Sequence, residues 1–417
     1  MVDVEFPAPG ATGELAEHSR GKNLLIVIPA LNEEDSIAST IERCLAAAPE
    51  IVDATGLRAV DVTVVSDGST DHTVEIASRY LEWIDLIVFE KNKGYGAAIK
   101  EAWRRSDADL LAFLDADGTC DPAFFVPLCN AAIQDGVDVA LGCRLNQDSK
   151  MPTVRRVGNT LFASLLSALS SRRVRDTASG MRVVRREALD KLYPLPNGLH
   201  FTPAMSARVM LSSELRIAEL DMPYHEREGE SKLRAGKDGL RFLKVILKTA
   251  LLFRPSRLLG LTAIPFLVLG VLLLTLPVAD WIREGAWPAG FRGAQAAAGA
   301  VLLTAAALLI AAGYLATRIV EVVLRVPSGG RFHSLLRAII GARWFWAIPG
   351  ALTVAGIAAG LVGGLTTGGG RGLFSMVVLG AAAVLAGVTR LLDRFIDVVA
   401  QRLRYERELA ARRATVA

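Results

Sequence analysis

From Asn23 onward, short runs rich in β-branched and aliphatic residues alternate with segments whose apolar positions recur at helical spacing. The runs are LLIVIPA, DVTVVSD, IDLIVFE, DLLAFLD and VDVALGC; helical patterns cover 35–47, 71–81, 94–105 and 122–135 between them. Strand and helix in alternation predict an α/β domain with a mostly parallel sheet covered by helices. Ligands of such sheets bind beyond the carboxyl ends of the strands. Four of these strand ends carry charged or glycine-rich stretches, 29–34, 66–71, 91–96 and 115–121, which are expected to converge on one crevice.

The pattern changes after residue 255. Four apolar segments follow, at about 258–279, 295–317, 344–366 and 372–392, each near the roughly 20 residues a helix needs to cross about 30 Å of hydrocarbon. Their many small residues suit close helix packing. Arg254 and Arg257 precede the first segment, Arg318, Arg325, Arg331, Arg337 and Arg343 separate the second from the third, and arginines crowd the C-terminus; the other two loops hold Arg283, Arg292 and Arg371. The positive-inside rule then places the N-terminal domain, the middle loop and the tail in the cytoplasm of a multi-pass protein of the cell membrane. The resulting division is a disordered tail at 1–22, an α/β domain at 23–236, an interfacial helix at 237–256, a four-helix transmembrane domain at 257–395 and a cytoplasmic tail at 396–417.

Composition agrees with that division. The 417 residues are 52% hydrophobic with a mean hydropathy of +0.36, too apolar for an ordinary soluble chain. The N-terminus lacks the basic start and apolar core of a secretory signal. The formal net charge is +4, with basic residues clustered beside the apolar segments, which points to anionic lipid rather than nucleic acid. Cys44, Cys120, Cys129 and Cys143 show no metal-site spacing and read as reduced, buried thiols.

The densest chemistry follows the fourth strand. Asp115-Ala116-Asp117 sets two carboxylates one residue apart at a strand end, where they can share a hard divalent cation and the phosphates it brings. Singly, each strand-end stretch has a plainer reading: PALNEED as an acidic helix start, SDGSTDHT as an Asp-Gly turn with Asp71 as a cap, and KNKGYGAA as a glycine-rich loop lacking dinucleotide or Walker spacing. Their order and spacing carry the weight.

Residues 23 to about 255 resemble a family-two glycosyltransferase of the dolichol-phosphate mannose synthase and polyprenyl-phosphate glycosyltransferase type. The resemblance rests on IPALNEE, VSDGSTDHT, KNKGYGAA, FLDADGTCDP, LGCR, DTASGMRVVRREAL and HEREGESKLR. It implies a GT-A (Rossmann-like) fold and an inverting, metal-dependent enzyme that moves a hexose from a nucleotide sugar, of GDP-mannose or UDP-glucose type, to a polyprenyl or dolichyl phosphate. Pro29, Leu31 and Glu33 would border the nucleotide, Asp67 would lie near the nucleoside, and Asp115, Ala116 and Asp117 would meet the diphosphate, the two carboxylates holding Mg2+ or Mn2+. Lys93 would add positive charge there.

The resemblance also implies a basic acceptor side. Arg144 and Arg155 are its catalytic cations, and with Ser231 they would bind the acceptor phosphate, since arginine suits bidentate capture of such a group. The residues alone leave Arg155 and Arg156 equal; the family pattern favours Arg155. Arg227 and Lys232 in REGESK are assigned to the nucleotide sugar. A phosphate monoester has its second pKa near 6, so the acceptor is already an anionic nucleophile and needs no strong base.

Two departures from the family stand out. Hydroxyl-directed relatives carry an acidic pair and a Gln-x-x-Arg-Trp motif, and this chain has neither; His200-Phe201-Thr202-Pro203 stands in that region. Thr119 occupies a position where mannose synthases commonly have a metal-ligating glutamine, leaving direct or water-mediated ligation by threonine open, with Asp121 as a substitute carboxylate or, more simply, a helix cap. Two amphipathic stretches, 161–169 and 240–251, flanked by basic residues, suit packing or the bilayer surface. The competing readings are transfer to a lipid hydroxyl and, from another class, a nucleotide-sugar-sensing scaffold or transporter.

Overall fold

The structure is a computed structural model that describes residues 21–145, 153–170, 172–223, 235–284, 290–324, 331–366 and 370–416. The predicted N-terminal tail and the HEREGESK segment with Arg227, Ser231 and Lys232 lie outside the described residues, as does the side chain of Arg155. Two compact units divide the chain, 1–249 and 250–417.

In the first unit the elements run β1 (Asn23–Ala30), α1 (Ile37–Thr55), β2 (Ala59–Ser66), α2 (Thr73–Ser78), β3 (Asp85–Val88), α3 (Tyr95–Arg105), β4 (Leu110–Phe113), a 3-10 turn (Pro122–Phe124), α4 (Phe125–Ile133) and β5 (Val139–Cys143). Then follow α5 (Thr153–Leu169), β6 (Arg182–Arg185), α6 (Leu189–Leu192), α7 (Phe201–Leu211), β7 (Ile217–Asp221) and α8 (Ala235–Phe253), which runs past the boundary between the units. The seven strands form one sheet in the order β3-β2-β1-β4-β6-β5-β7. All run parallel except β6, which is antiparallel to both β4 and β5.

Strand alternation builds the two cores. Leu24, Ile26 and Ile28 of β1 face the layer of α1 and α4, whereas Leu25 and Val27 face α3 and α7, as a pleat with period two requires. On the second face Trp103, Phe113 and Phe201 meet with ring centroids 5.8–6.1 Å apart, each pair adding about 0.5–1.5 kcal/mol beyond burial. Phe201 is therefore core, and the HFTP segment opens α7 rather than a pocket. The chain leaves β1 outward to β2 and β3 and returns to β4 on the other side. That reversal between β1 and β4 is the switch point at which open α/β sheets bind ligands.

The predicted strands and α3 are where the pattern put them. Helix α1 runs to Thr55 rather than 47, through Pro49, and α2 is shorter than 71–81. Strands β6 and β7 had not been expected.

The second unit contains α9 (Pro255–Glu284), α10 (Gly290–Leu324), α11 (Arg331–Gly341), a 3-10 turn (Arg343–Trp346), α12 (Ala347–Thr366) and α13 (Gly370–Val416). Among the described residues two helices, Pro255–Glu284 and Gly290–Val323, are long and apolar enough to cross a membrane, where four such helices were expected. The third and fourth expected segments fall on α12 and α13, and α13 continues unbroken through the expected tail. Gly270 of α9 and Gly299 of α10 face each other so closely that a Cβ on Gly299 would stand 3.0 Å from the Gly270 carbonyl, the small-residue contact that lets helix backbones approach. Leu267, Val268, Val271 and Leu272 on α9 are exposed.

Charged side chains that the sequence showed only as scattered residues form one cluster here, with Arg318, Arg390 and Asp393 buried and Asp397 half-exposed at its rim. Arg318 of α10 pairs with Asp393 at 3.1 Å and with Asp397, both on α13, while the Tyr314 hydroxyl donates to Asp393 at 2.7 Å. Arg390 donates to the Gly341 carbonyl at 2.7 Å, which ties in α11. His333 of α11 stacks on Tyr314 at 5.2 Å.

Candidate active site

The first wall is two loops sewn together. Asn32, after β1, adopts a left-handed backbone with φ of 52°, which asparagine tolerates better than most residues. Its backbone N–H donates to Ser69 Oγ at 3.1 Å, and its side-chain oxygen accepts from Thr70 N at 2.8 Å. Glu33 N donates to Thr73 Oγ1 at 2.8 Å, Glu34 N to Asp71 at 3.1 Å, and His72 N returns to the Glu34 carboxylate at 2.9 Å. Glu34 and Asp71 thus each bind the backbone of the other loop. Pro29 is buried within β1, and Leu31 and Glu33 are half-buried on the rim.

Asp67, at the end of β2, is nearly fully buried. Its carboxylate accepts from Lys93 N at 2.6 Å and Gly94 N at 2.9 Å, so it fixes the glycine-rich loop. Burial raises its pKa, and the bonds from Lys93 and Gly94 oppose the rise. The Lys93 ammonium lies 4.2 Å over the Phe89 ring. Phe89, Lys93, Trp103 and Tyr193 line a cavity of about 540 Å³ that does not include Asp115 or Asp117.

Asp115 and Asp117 follow β4, beside the switch point. Leu114 N bonds Val27 O of β1 at 3.0 Å, carrying the sheet to the threshold of the pair. Helix α1 holds the turn from behind: Thr40 Oγ1 donates to the Ala116 carbonyl at 3.0 Å, and Arg43 donates to those of Gly118 and Cys120 at 3.1 and 3.0 Å. Ala116 itself packs into the core.

Each carboxylate is gripped by one hydroxyl. Tyr95 Oη donates to Asp115 Oδ1 at 2.6 Å, and Thr119 Oγ1 donates to Asp117 Oδ1 at 2.6 Å. Thr119 therefore bonds a carboxylate, not an open face of the crevice. Asp121 caps the 3-10 turn through Ala123 N at 3.1 Å, as its place before Pro122 suggested. Among the described residues no group of three His, Cys, Asp or Glu side chains is placed to hold a metal ion. Two carboxylates completed by the oxygens of a bound diphosphate form a donor set that Mg2+ or Mn2+ accepts, so the residues present fit such an ion.

A cationic framework follows β5 and opens β6. Arg144, directly after β5, forms a bidentate pair with Asp176 through Nε at 2.7 Å and Nη2 at 3.0 Å, with its backbone N–H adding a third bond at 3.1 Å. Asn159 of α5 donates to Asp176 at 2.7 Å. Burial works to raise the Asp176 pKa, but the Arg144 charge and these hydrogen bonds outweigh it and hold the group below the usual carboxylate range. Arg182, at the start of β6, has no exposed surface and donates to the carbonyls of Ser179 and Thr177 at 3.0 and 2.9 Å. Burial pulls its pKa down to about 10. The buried Cys120 thiol is pushed well up by desolvation, with the charges of Asp115, Arg144 and Asp117 as smaller influences.

Of the predicted residues, the structure gathers Leu31, Glu33, Asp67, Asp115, Asp117 and Arg144 at one edge of the sheet. Arg155 has its backbone in α5, and Arg156 beside it is half-buried. Sequence reasoning missed Tyr95, Gly180, Asp176 and Arg182 as parts of the site. Gly180 lies against Asp115 so tightly that any Cβ would overlap the carboxylate. Its signal was present in DTASGMR, read as a family motif without roles.

The model of the family "Glycosyl transferase family 2" matches residues 25–193. A low-salt glycan biosynthesis hexosyltransferase of Haloferax volcanii is 33% identical over 292 residues, 66% of this chain and 67% of that protein. A dolichyl-phosphate hexose transferase of the same organism is 35% identical over 233 residues, 55% of this chain and 94% of its own length. An undecaprenyl-phosphate 4-deoxy-4-formamido-L-arabinose transferase of Photorhabdus laumondii is 27% identical over 281 residues, 63% and 81% of the two chains. With the sheet and the strand-end motifs described above, these matches establish that the chain is a glycosyltransferase and belongs to glycosyl transferase family 2.

Proposed function

We propose that the chain transfers a hexose, with inversion, from a nucleotide sugar to a polyprenyl phosphate at the cytoplasmic face of a membrane. The observation that carries this reading is the Asp115 and Asp117 pair directly after β4, beside the switch point of the sheet, with the Asp176-braced Arg144 at the carboxyl end of β5. The names of the matched dolichyl-phosphate and undecaprenyl-phosphate transferases support the acceptor class.

Asp115 and Asp117 would hold Mg2+ or Mn2+, which neutralises charge on the departing nucleoside diphosphate. The sewn loops at 31–34 and 67–73 form the nucleotide side, with Asp67 keeping the 93–94 backbone in place. Arg144, oriented by Asp176, presents a fixed cation to the acceptor phosphate, with Arg155 and Ser231 completing that side and Arg227 and Lys232 assigned to the donor. The phosphate oxygen attacks the anomeric carbon as the bond to the diphosphate breaks. No proton need leave the acceptor.

Helix α8 fits a membrane-surface role. Leu240 is 68% exposed, Arg241, Lys244 and Lys248 are exposed around it, and Phe242 packs edge-on against Phe162 of α5 at 6.0 Å. On α5, Leu161 is 65% exposed while Leu166 and Leu169 are buried. In this reading four membrane spans follow, with both termini cytoplasmic. The test is Asp117→Ala in purified membranes supplied with nucleotide sugars and short-chain polyprenyl phosphate. Mass measurement of the lipid should show the product with the parent protein and none with the variant; full activity in the variant would remove Asp117 from the site.

A further inference from the structure

We propose that Tyr95 and Thr119 are positioning residues that hold the Asp115 and Asp117 carboxylates, one hydroxyl to each, in the orientation a divalent cation requires. This rests on the metal reading above and names what sets the geometry of that pair. The two bonds are equal in length at 2.6 Å, and each donor is itself immobilised.

Tyr95 comes from the glycine-rich loop, which Asp67 fixes, and its ring stands edge-on to Phe113 at 6.3 Å and Phe201 at 6.4 Å. The other oxygen of Asp115 lies against the Gly180 backbone. One side of the carboxylate is thus hydrogen-bonded and the other sterically confined.

Thr119 has almost no exposed surface. Its hydroxyl and its backbone N–H, at 3.3 Å, both aim at Asp117 Oδ1. An ionised carboxylate only accepts, so the single hydroxyl proton is committed to Asp117. Threonine here acts on Asp117 through that proton. Groups that orient ligating side chains in this way typically govern metal affinity by about 10- to 100-fold.

The test titrates Mn2+ alone into the full-length protein in detergent, reading free Mn2+ and the hyperfine line shape of the bound ion by electron paramagnetic resonance. Tyr95→Phe and Thr119→Val should each weaken Mn2+ binding about tenfold and broaden the bound signal, while Thr119→Ser restores both. Thermal unfolding should stay close to that of the parent. Should Thr119→Val fail to fold, the comparison of Thr119→Ser with Thr119→Ala replaces it. Unchanged affinity in the Tyr95 and Thr119 variants of a protein that binds Mn2+ would overturn this inference alone. A parent that binds no more Mn2+ than Asp117→Ala, both with Mn2+ alone and with a nucleoside diphosphate added, would overturn the metal reading and this inference with it.

Discussion

Asp176 is a carboxylate with no exposed surface, and what it touches explains why it remains charged. Arg144 and Asn159 supply side-chain donors, and the backbone of Arg144 and Ala178 supplies two more. Removing one partner of a buried pair strands the other, which costs about 3–5 kcal/mol. Asp176→Ala should lose that much at pH 7, read by chemical unfolding. Because the folded pKa of Asp176 lies below the unfolded value, its contribution is complete above the ordinary carboxylate range and drains away as pH falls below it. The gap between parent and variant should therefore narrow below about pH 4. Asp67 runs the opposite way: with a folded pKa raised by burial, its ionisation weakens the fold as pH climbs through the ordinary value.

At the scale of elements, the part of the sheet with strong alternation was legible in the sequence and the rest was not. Strands β1 to β5 announce themselves because aliphatic runs end in turn residues, and α3 begins at its glycines. Strand β6 is hidden: its two valines stand between Arg182 and Arg185, and a flanking arginine argues for solvent, yet Arg182 is fully buried with backbone carbonyls accepting from its Nε and Nη2. The DxD pair could be read from its strand end, whereas its grip by Tyr95, Thr119 and Gly180 depends on contacts between distant segments. The start of β6 sets the floor beneath Asp115. Gly180→Ala should displace that carboxylate and lower transfer about 100-fold, with initial rates as the measure. Recovery of normal rates in that variant would show that the floor tolerates a methyl group.

For the whole molecule, the number of membrane crossings decides which loops face outward. The cysteines at 44, 120, 129 and 143 are buried, so introduced thiols can report. With four spans, Ala286→Cys and Thr367→Cys should react with a membrane-impermeant maleimide on intact cells, and Ser328→Cys only after permeabilisation. Protection of Thr367→Cys on intact cells would reduce the count to two. The reversed strand β6 adds a constraint on synthesis. Asp115 and Asp117 leave the ribosome early, but the strand that floors them, opposite Phe113 at Arg182, emerges only after α4, β5 and α5 have been made. Closing so long a loop is slow relative to local helix formation. The nascent chain therefore has the Tyr95 and Thr119 hydroxyls in hand well before Gly180, and Asp115 gains its floor only once β6 has been made.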